Sequence, residues 1–290
     1  MAKGIRQGAA TTSEAAPRQV RRVFFVSDHT GITAETLGHS LLTQFDGVEF
    51  RQETIPFIGT VERAHEAVAK IDAAAAEDGA PPLVFSTLVK QDARDVVKRA
   101  SCVFLDFFDA FLAPLERELG VASAHAKGRA HGVSDYQAYM LRIDAMNYAL
   151  ANDDGQSLRS LDRADVILIG VSRAGKTPTC LYLALQYGVY AANYPLTDEE
   201  LKGKGLPPEL LRLKSKLYGL TIESERLSQI RSERRPDSRY ASTQQVRFEL
   251  NEASALMKRL GIPTLETTSF SIEEIATTIL HHRGLSRRFY

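Results

Sequence analysis

Apolar and polar positions along the chain alternate between two rhythms. Short segments that read as strands, several of them apolar runs suited to burial on both faces, occupy residues 22–27, 48–55, 83–87, 102–106, 165–169, 189–193, 217–222 and 262–266. Longer segments between them carry apolar residues at helical spacing. After Thr60 the positions Val61, Ala64, Val68, Ile71 and Ala75 form one stripe, and after Ser242 the positions Val246, Leu250, Ala253, Met257 and Leu260 form another. Further helices are expected over 34–44, 90–100, 108–119, 135–150, 178–187 and 223–235. Strands alternating with helices predict the α/β class, with parallel sheets covered by helices.

Local signals punctuate these elements. Pro56, the Gly79-Ala80-Pro81-Pro82 break, Pro195 and Gly261 end segments. Thr33 is the expected N-cap of the first helix, with Glu35 in its acidic first turn, and Ser271 to Glu274 spells a capping box. Residues 198–214 are polar and broken at Gly203, Gly205, Pro207 and Pro208, so a mobile surface segment is expected there. The segment 223–235 carries Arg226, Arg231, Arg234 and Arg235. A solvated helical face is the ordinary meaning of such charge; a guanidinium clamp on phosphate is the sharper one.

The pattern divides into a leader over 1–19, an N-terminal α/β lobe over 20–119, a connector over 120–133 and a C-terminal phosphate-loop, kinase-like lobe over 134–290. The leader is rich in Ala, Thr, Ser, Gln and Gly, and is expected to be disordered; an organelle transit peptide shares that flavour. In the connector, His125, Lys127, Arg129 and His131 give a basic character to a run of small residues, which reads first as a solvated linker. At 290 residues the chain can build a substantial core. Lys plus Arg and Asp plus Glu are equal at 36 each, so net charge argues for neither nucleic acid nor a membrane surface as partner. No apolar run has the length of a membrane span, and the cytoplasm is the default location. The two cysteines, Cys102 and Cys180, lie in apolar runs and read as small buried hydrophobes.

Chemistry concentrates where the fifth apolar run ends. Gly170-Val171-Ser172-Arg173-Ala174-Gly175-Lys176-Thr177 is a complete G-x-x-x-x-G-K-T phosphate loop between an expected strand and an expected helix. Its glycines let backbone N–H groups turn toward a phosphate, Lys176 offers charge to the outer phosphates, and Thr177 offers a hydroxyl to Mg2+. Pro178 is harmless in a first helical turn. Arg173 can add charge to a moving phosphoryl group. The base for a transfer reaction is open between Asp28 and Asp106, each at the end of an early expected strand; Asp106 reads more simply as a helix cap. From these residues alone, a small-metabolite kinase and a nucleotide-dependent regulatory switch both stay open.

Several stretches taken together resemble one family. They are residues 25–35 (Phe25-Val26-Ser27-Asp28 through Glu35), 170–179, 192–195, 219–222, 225–231, 238–242, 271–277 and 284–288. The chain is similar, over residues 22–290, to the bifunctional regulatory proteins of phosphoenolpyruvate synthase, which are related to the plant regulator of pyruvate, phosphate dikinase. The closing Ser286-Arg287-Arg288 followed by two aromatics resembles the bacterial synthase regulators. The resemblance implies a serine/threonine kinase that uses ADP as phosphoryl donor and inactivates phosphoenolpyruvate synthase on a threonine. It also implies the reverse reaction, in which inorganic phosphate removes the mark and pyrophosphate is released. Residues 170–177 are then the nucleotide site, with Lys176 near the β-phosphate, Arg173 on the equatorial oxygens, Thr177 on Mg2+ and Asp28 as base. Homodimer formation is left open. One position departs from the family pattern: His29 stands where relatives carry small residues, which bears on the geometry and pH response of that loop.

Overall fold

A computed structural model of the chain describes residues 19–123, 136–155, 158 and 160–288. Residues 1–18 of the expected 1–19 leader and the connector's 124–133, with His125, Lys127, Arg129 and His131, lie outside the described residues, and Gln19 already belongs to the first strand. The chain divides into two compact units, Met1–Gly132 and Val133–Tyr290.

The first unit runs β1 (Gln19–Val26), α1 (Ile32–Leu42), β2 (Val48–Ile55), α2 (Val61–Asp78), β3 (Leu83–Ser86), α3 (Gln91–Val97), β4 (Val103–Asp106) and α4 (Phe107–Leu119). All neighbouring strands are parallel, in the order β2-β1-β3-β4. Alternate residues of β1 serve opposite faces, as the two-residue strand period demands. Phe24 and Val26 pack with Ala64, Ala67 and Ile71 of α2 and Ala93 and Val97 of α3. Val23 and Phe25 pack on the other face with Ala34 and Leu42 of α1 and with Phe107.

Two local readings change. Gly31, in the left-handed region at φ 84°, is the N-cap of α1 and Thr33 already lies inside the helix, so the expected Thr33 cap is not formed. Glycine reaches that conformation without the Cβ clash any other residue meets. Asp106 does cap α4, accepting from the Asp109 N–H at 2.9 Å.

The second unit runs α5 (Tyr136–Ala151), β5 (Val166–Gly170), α6 (Lys176–Tyr187), β6 (Ala191–Pro195), α7 (Pro208–Arg212), β7 (Leu217–Thr221), α8 (Ser224–Arg234), α9 (Thr243–Leu260), β8 (Thr264–Glu266) and α10 (Ile272–Arg283). Its sheet is again parallel, in the order β6-β5-β7-β8, the same arrangement as the first. Ser242 caps α9, and its buried Val246, Ala253 and Met257 join one continuous core with Leu183 of α6 and Ile275 and Ile279 of α10. Fully burying each large side chain there contributes about 1.5–3 kcal/mol. The capping box at Ser271 and Glu274 is formed on both sides.

The segment 198–214 is more integrated than its polarity suggested. Leu201, Leu206 and Leu210 are buried, and Glu200 accepts from the Tyr194 hydroxyl and from both the N–H and hydroxyl of Thr197, each at 2.5 Å. At the other end of the unit, the Arg288 N–H donates to the Tyr187 carbonyl at 3.1 Å and its guanidinium pairs with Asp165 at 2.6 Å, which holds the tail down through that residue. Both cysteines are free, Cys180 buried and Cys102 half-buried. Among the described residues no helix is long and apolar enough to cross a membrane.

Candidate active site

The chain leaves β5 for β6 on one side and later adds β7 on the other, so the C-terminal end of β5 is a topological switch point where ligands of such sheets bind. The phosphate loop sits there. Gly170 ends β5 with φ 151°, and a Cβ on it would lie 2.3 Å from the Leu220 carbonyl oxygen of β7. No side chain fits that approach. Gly175 is the N-cap of α6 with φ 84°, and no side chain competes for the first N–H groups of this twelve-residue helix. Those free donors and the helix dipole favour an anion. Arg173 also has positive φ, 76°, which is uncommon and costly for a residue with a side chain.

Lys176 is buried, at 4% exposure, and its Nζ donates to the Val171 carbonyl at 2.7 Å. Burial pushes its pKa down to about 8, against the partial support of nearby Asp154 and Asp153. Its ammonium therefore sits poorly solvated in a loop of inward-turned amides, and a phosphate oxygen would relieve that cost.

Beside it lies a cavity of about 350 Å3, lined by Asp153, Asp154, Ser172, Arg173, Lys176, Thr177, Pro178, Asn193, Pro195 and Arg234. Of the lining residues Arg173 and Arg234 are exposed, whereas Asp153 and Thr177 are half-buried, with the Thr177 hydroxyl donating to Asp153 Oδ1 at 2.9 Å. Asn193 Nδ2 donates to the same oxygen at 2.6 Å and to Thr177 Oγ1 at 3.0 Å. The buried Asn193 Oδ1 has no hydrogen-bond partner among the described residues. The turn that carries Asp153 is strapped to β6 by the Gly155 N–H to the Asn193 carbonyl at 3.1 Å and the Asn193 N–H to the Asn152 carbonyl at 3.0 Å. Asp154 takes positive φ, 55°, inside that strap.

The sequence pattern does not single out Asp153 and Asn193. Two adjacent aspartates just before the phosphate-loop strand were the available signal; the strand pairing that aims them is tertiary. The arginine-rich helix also conceals one residue with a different job. Arg231 is fully buried, bonding the Ser172 carbonyl at 3.1 Å, the Tyr240 carbonyl at 3.0 Å and Glu249 at 2.6 Å, with Tyr240 stacked at 4.2 Å from its guanidinium carbon. Tyr240 in turn bonds the Ser172 hydroxyl at 2.9 Å. Arg231 is thus no part of a solvated face, whereas Arg234 and Arg235 are exposed.

Asp28 belongs to the first unit, at the end of β1, the equivalent switch point of that sheet. It is largely buried, at 8% exposure, and accepts from the Val89 N–H at 3.3 Å. His29 packs edge-on against Phe57, and the Phe57 N–H donates to the His29 carbonyl at 2.8 Å. Asp106, the other candidate base, is engaged by the Ser86 hydroxyl at 2.9 Å as well as by its cap. Among the described residues no cluster of three or more His, Cys, Asp or Glu side chains could hold a metal.

A profile of the kinase/pyrophosphorylase family matches residues 23–280. The chain is 57% identical over 270 residues to a protein of Halorhodospira halophila, covering 93% of this chain and 98% of that one. It is 55% identical over 270 residues to one of Alkalilimnicola ehrlichii, with coverage of 93% and 98%. It is 52% identical over 268 residues to one of Legionella pneumophila, with coverage of 92% and 99%. Each of the three is provisionally named phosphoenolpyruvate synthase regulatory protein.

Proposed function

The chain belongs to the kinase/pyrophosphorylase family, and on that premise we propose that it is an ADP-dependent protein threonine kinase and phosphate-dependent phosphorylase acting on phosphoenolpyruvate synthase. The observation that carries this reading is the buried Lys176 inside a Gly170–Thr177 cradle, in a chain that aligns over 93% of its length with a protein provisionally named a synthase regulator.

In the forward direction the threonine hydroxyl attacks the β-phosphorus of ADP. The bond between the β-phosphorus and the bridging oxygen breaks, AMP leaves, and one proton passes to a base. In the reverse direction an oxygen of inorganic phosphate attacks the phosphothreonine phosphorus, the bond from that phosphorus to the threonine oxygen breaks, the threonine oxygen takes up a proton, and the pyrophosphate so formed is released. Both directions need negative charge neutralised on the same phosphoryl group. The amides at the start of α6 and the Lys176 ammonium hold the diphosphate, while Arg173 and Arg234 at the mouth reach the moving group with planar forks. Asp28 is the proposed base, since a carboxylate at a strand end can take the hydroxyl proton as attack begins. The cavity's oxygen donors suit Mg2+, with Thr177 as a holding residue; when bound, the ion supplies further charge to the phosphate oxygens.

The deciding experiment incubates the chain and phosphoenolpyruvate synthase with ADP labelled in its β-phosphate. Label on a synthase threonine, released as pyrophosphate on adding phosphate, is the expected result. Transfer from ATP but not ADP, or turnover with no protein acceptor, would overturn the proposal.

A further inference from the structure

We propose that Asp153 and Asn193 complete, with Thr177, a divalent-cation site for an ion of the Mg2+ class beside the phosphate loop. This rests on reading the cavity as a phosphate site. Mg2+ is usually held by one or two carboxylates together with phosphate oxygens and water, at 2.0–2.1 Å in near-ideal octahedral geometry. Neighbouring ligands of such an octahedron lie about 3.0 Å apart. The 2.9 Å separation of Asp153 Oδ1 and Thr177 Oγ1 matches that edge. Asp153 and Thr177 line the same cavity as Lys176, so a phosphate on the loop can share the ion with them.

A second, independent feature points the same way. Asn193 is 97% buried by its 3% exposure, lines the cavity, and leaves its Oδ1 without a partner among the described residues. A buried carbonyl oxygen with no donor is expensive, and the common explanations are a water or an ion at that place. A hydrated cation held by Asp153 and Thr177 presents water protons to that oxygen. Asn193 meanwhile fixes the carboxylate through its Nδ2, 2.6 Å from Asp153 Oδ1. Asp153 is therefore a metal ligand, and Asn193 is a positioning residue. The strap that pairs Asn152 and Gly155 with Asn193 keeps both on rigid backbone.

The test follows Mn2+ by electron paramagnetic resonance in the full chain, alone and saturated with pyrophosphate, for the wild type and Asp153→Asn. The substitution keeps the shape and an oxygen able to accept from Thr177, and removes the charge. Pyrophosphate is expected to tighten Mn2+ binding in the wild type. In Asp153→Asn, Mn2+ binding should weaken by at least the ~10–100-fold seen even for outer partners of metal ligands. Metal-free pyrophosphate binding should be equal or tighter, because a negative charge has gone. Asn193→Ala should weaken Mn2+ by a smaller factor than Asp153→Asn. Wild-type protein that takes up no Mn2+ with pyrophosphate would overturn the site, as would Asp153→Asn holding it as well as wild type. Loss of metal-free pyrophosphate binding in Asp153→Asn would also overturn it, by showing a purely structural role. Failure of ADP to phosphorylate the synthase, with the Mn2+ difference intact, would sink the proposed reaction and leave this site standing.

Discussion

Arg231 reaches from α8 to the phosphate loop and donates through Nη2 to the Ser172 carbonyl oxygen at 3.1 Å. The same nitrogen pairs with Glu249 of α9 at 2.6 Å, and Nη1 bonds the Tyr240 carbonyl at 3.0 Å. One guanidinium thus ties two helices and a turn to the residue preceding Arg173, whose backbone is held in the left-handed region. A strained conformation persists only where its surroundings hold it, and Arg231 is a large part of that hold.

Removing this tie has a specific signature. Arg231→Ala leaves the largely buried Glu249 without its charged partner, with only the Gln245 amide still donating to it, which costs about 3–5 kcal/mol of stability. Arg231→Lys keeps the charge but cannot reach three acceptors in a planar fork. Urea unfolding should rank wild type above Arg231→Lys above Arg231→Ala. In Arg231→Lys the folded protein should also bind pyrophosphate more weakly, because the Ser172 carbonyl is released. Unchanged pyrophosphate affinity in a folded Arg231→Lys protein would confine Arg231 to scaffolding.

Gly170→Ala tests the close approach of β5 and β7. The added methyl lies 2.3 Å from the Leu220 carbonyl oxygen, a backbone atom that cannot swing away, at a φ of 151° that L residues rarely take. We expect a loss of about 2 kcal/mol or more in thermal or urea unfolding, of the kind that backbone strain produces. Gly175→Ala meets no neighbouring atom but keeps the positive-φ strain, so its loss should be smaller.

The lowered pKa of Lys176 predicts a pH dependence with a definite sign. In the free protein burial holds its value at about 8, below the ordinary 10.5, so the ammonium form is disfavoured by folding. From about pH 8 to 10.5 the unfolded chain binds more protons at this group than the folded one, and its contribution to stability rises with pH. Ligand binding runs the other way. A bound diphosphate favours the ammonium, so affinity for ADP or pyrophosphate should be flat below pH 8 and fall above it, by up to about tenfold per pH unit. Calorimetry near pH 8.5 in buffers of different ionisation heat should show proton uptake on binding. Lys176→Ala should abolish both the uptake and the slope.

Both sheets and nearly all the helices were legible in the sequence, because parallel strands make continuous apolar runs and α2 and α9 carry unbroken stripes. The phosphate loop was legible for a related reason: backbone geometry forces glycine at two positions and the chemistry needs Lys176 and Thr177 in one short run. Asp153, Asn193 and Arg231 were not. Asp153 meets Asn193 only because a turn pairs with β6, and Arg231 meets Glu249 eighteen residues later across two helices. Local rhythm carries no such information. Arg231 and Arg234 look alike in sequence, and only packing buries one and leaves the other at the mouth of the cavity.

The two early carboxylates can be told apart by substitution. Asp106 accepts from the Asp109 N–H and the Ser86 hydroxyl, both at 2.9 Å, and lies 3.9 Å from Arg94, so it is fully employed in holding α4 and β3. Asp106→Ala should cost about 0.5–2 kcal/mol, the range for a lost helix cap, and leave phosphoryl transfer from ADP measurable. Asp28 accepts from the Val89 N–H at 3.3 Å and stands at the switch point of its sheet. If it takes the threonine proton, Asp28→Asn keeps size and hydrogen bonding but loses the basic oxygen. Transfer to the synthase should then fall by about 100-fold or more, the scale of general base catalysis, while ADP affinity at the distant-in-sequence phosphate loop stays unchanged. The pair of variants separates base from cap. Transfer that survives in Asp28→Asn and disappears in a folded Asp106→Ala would reverse the assignment.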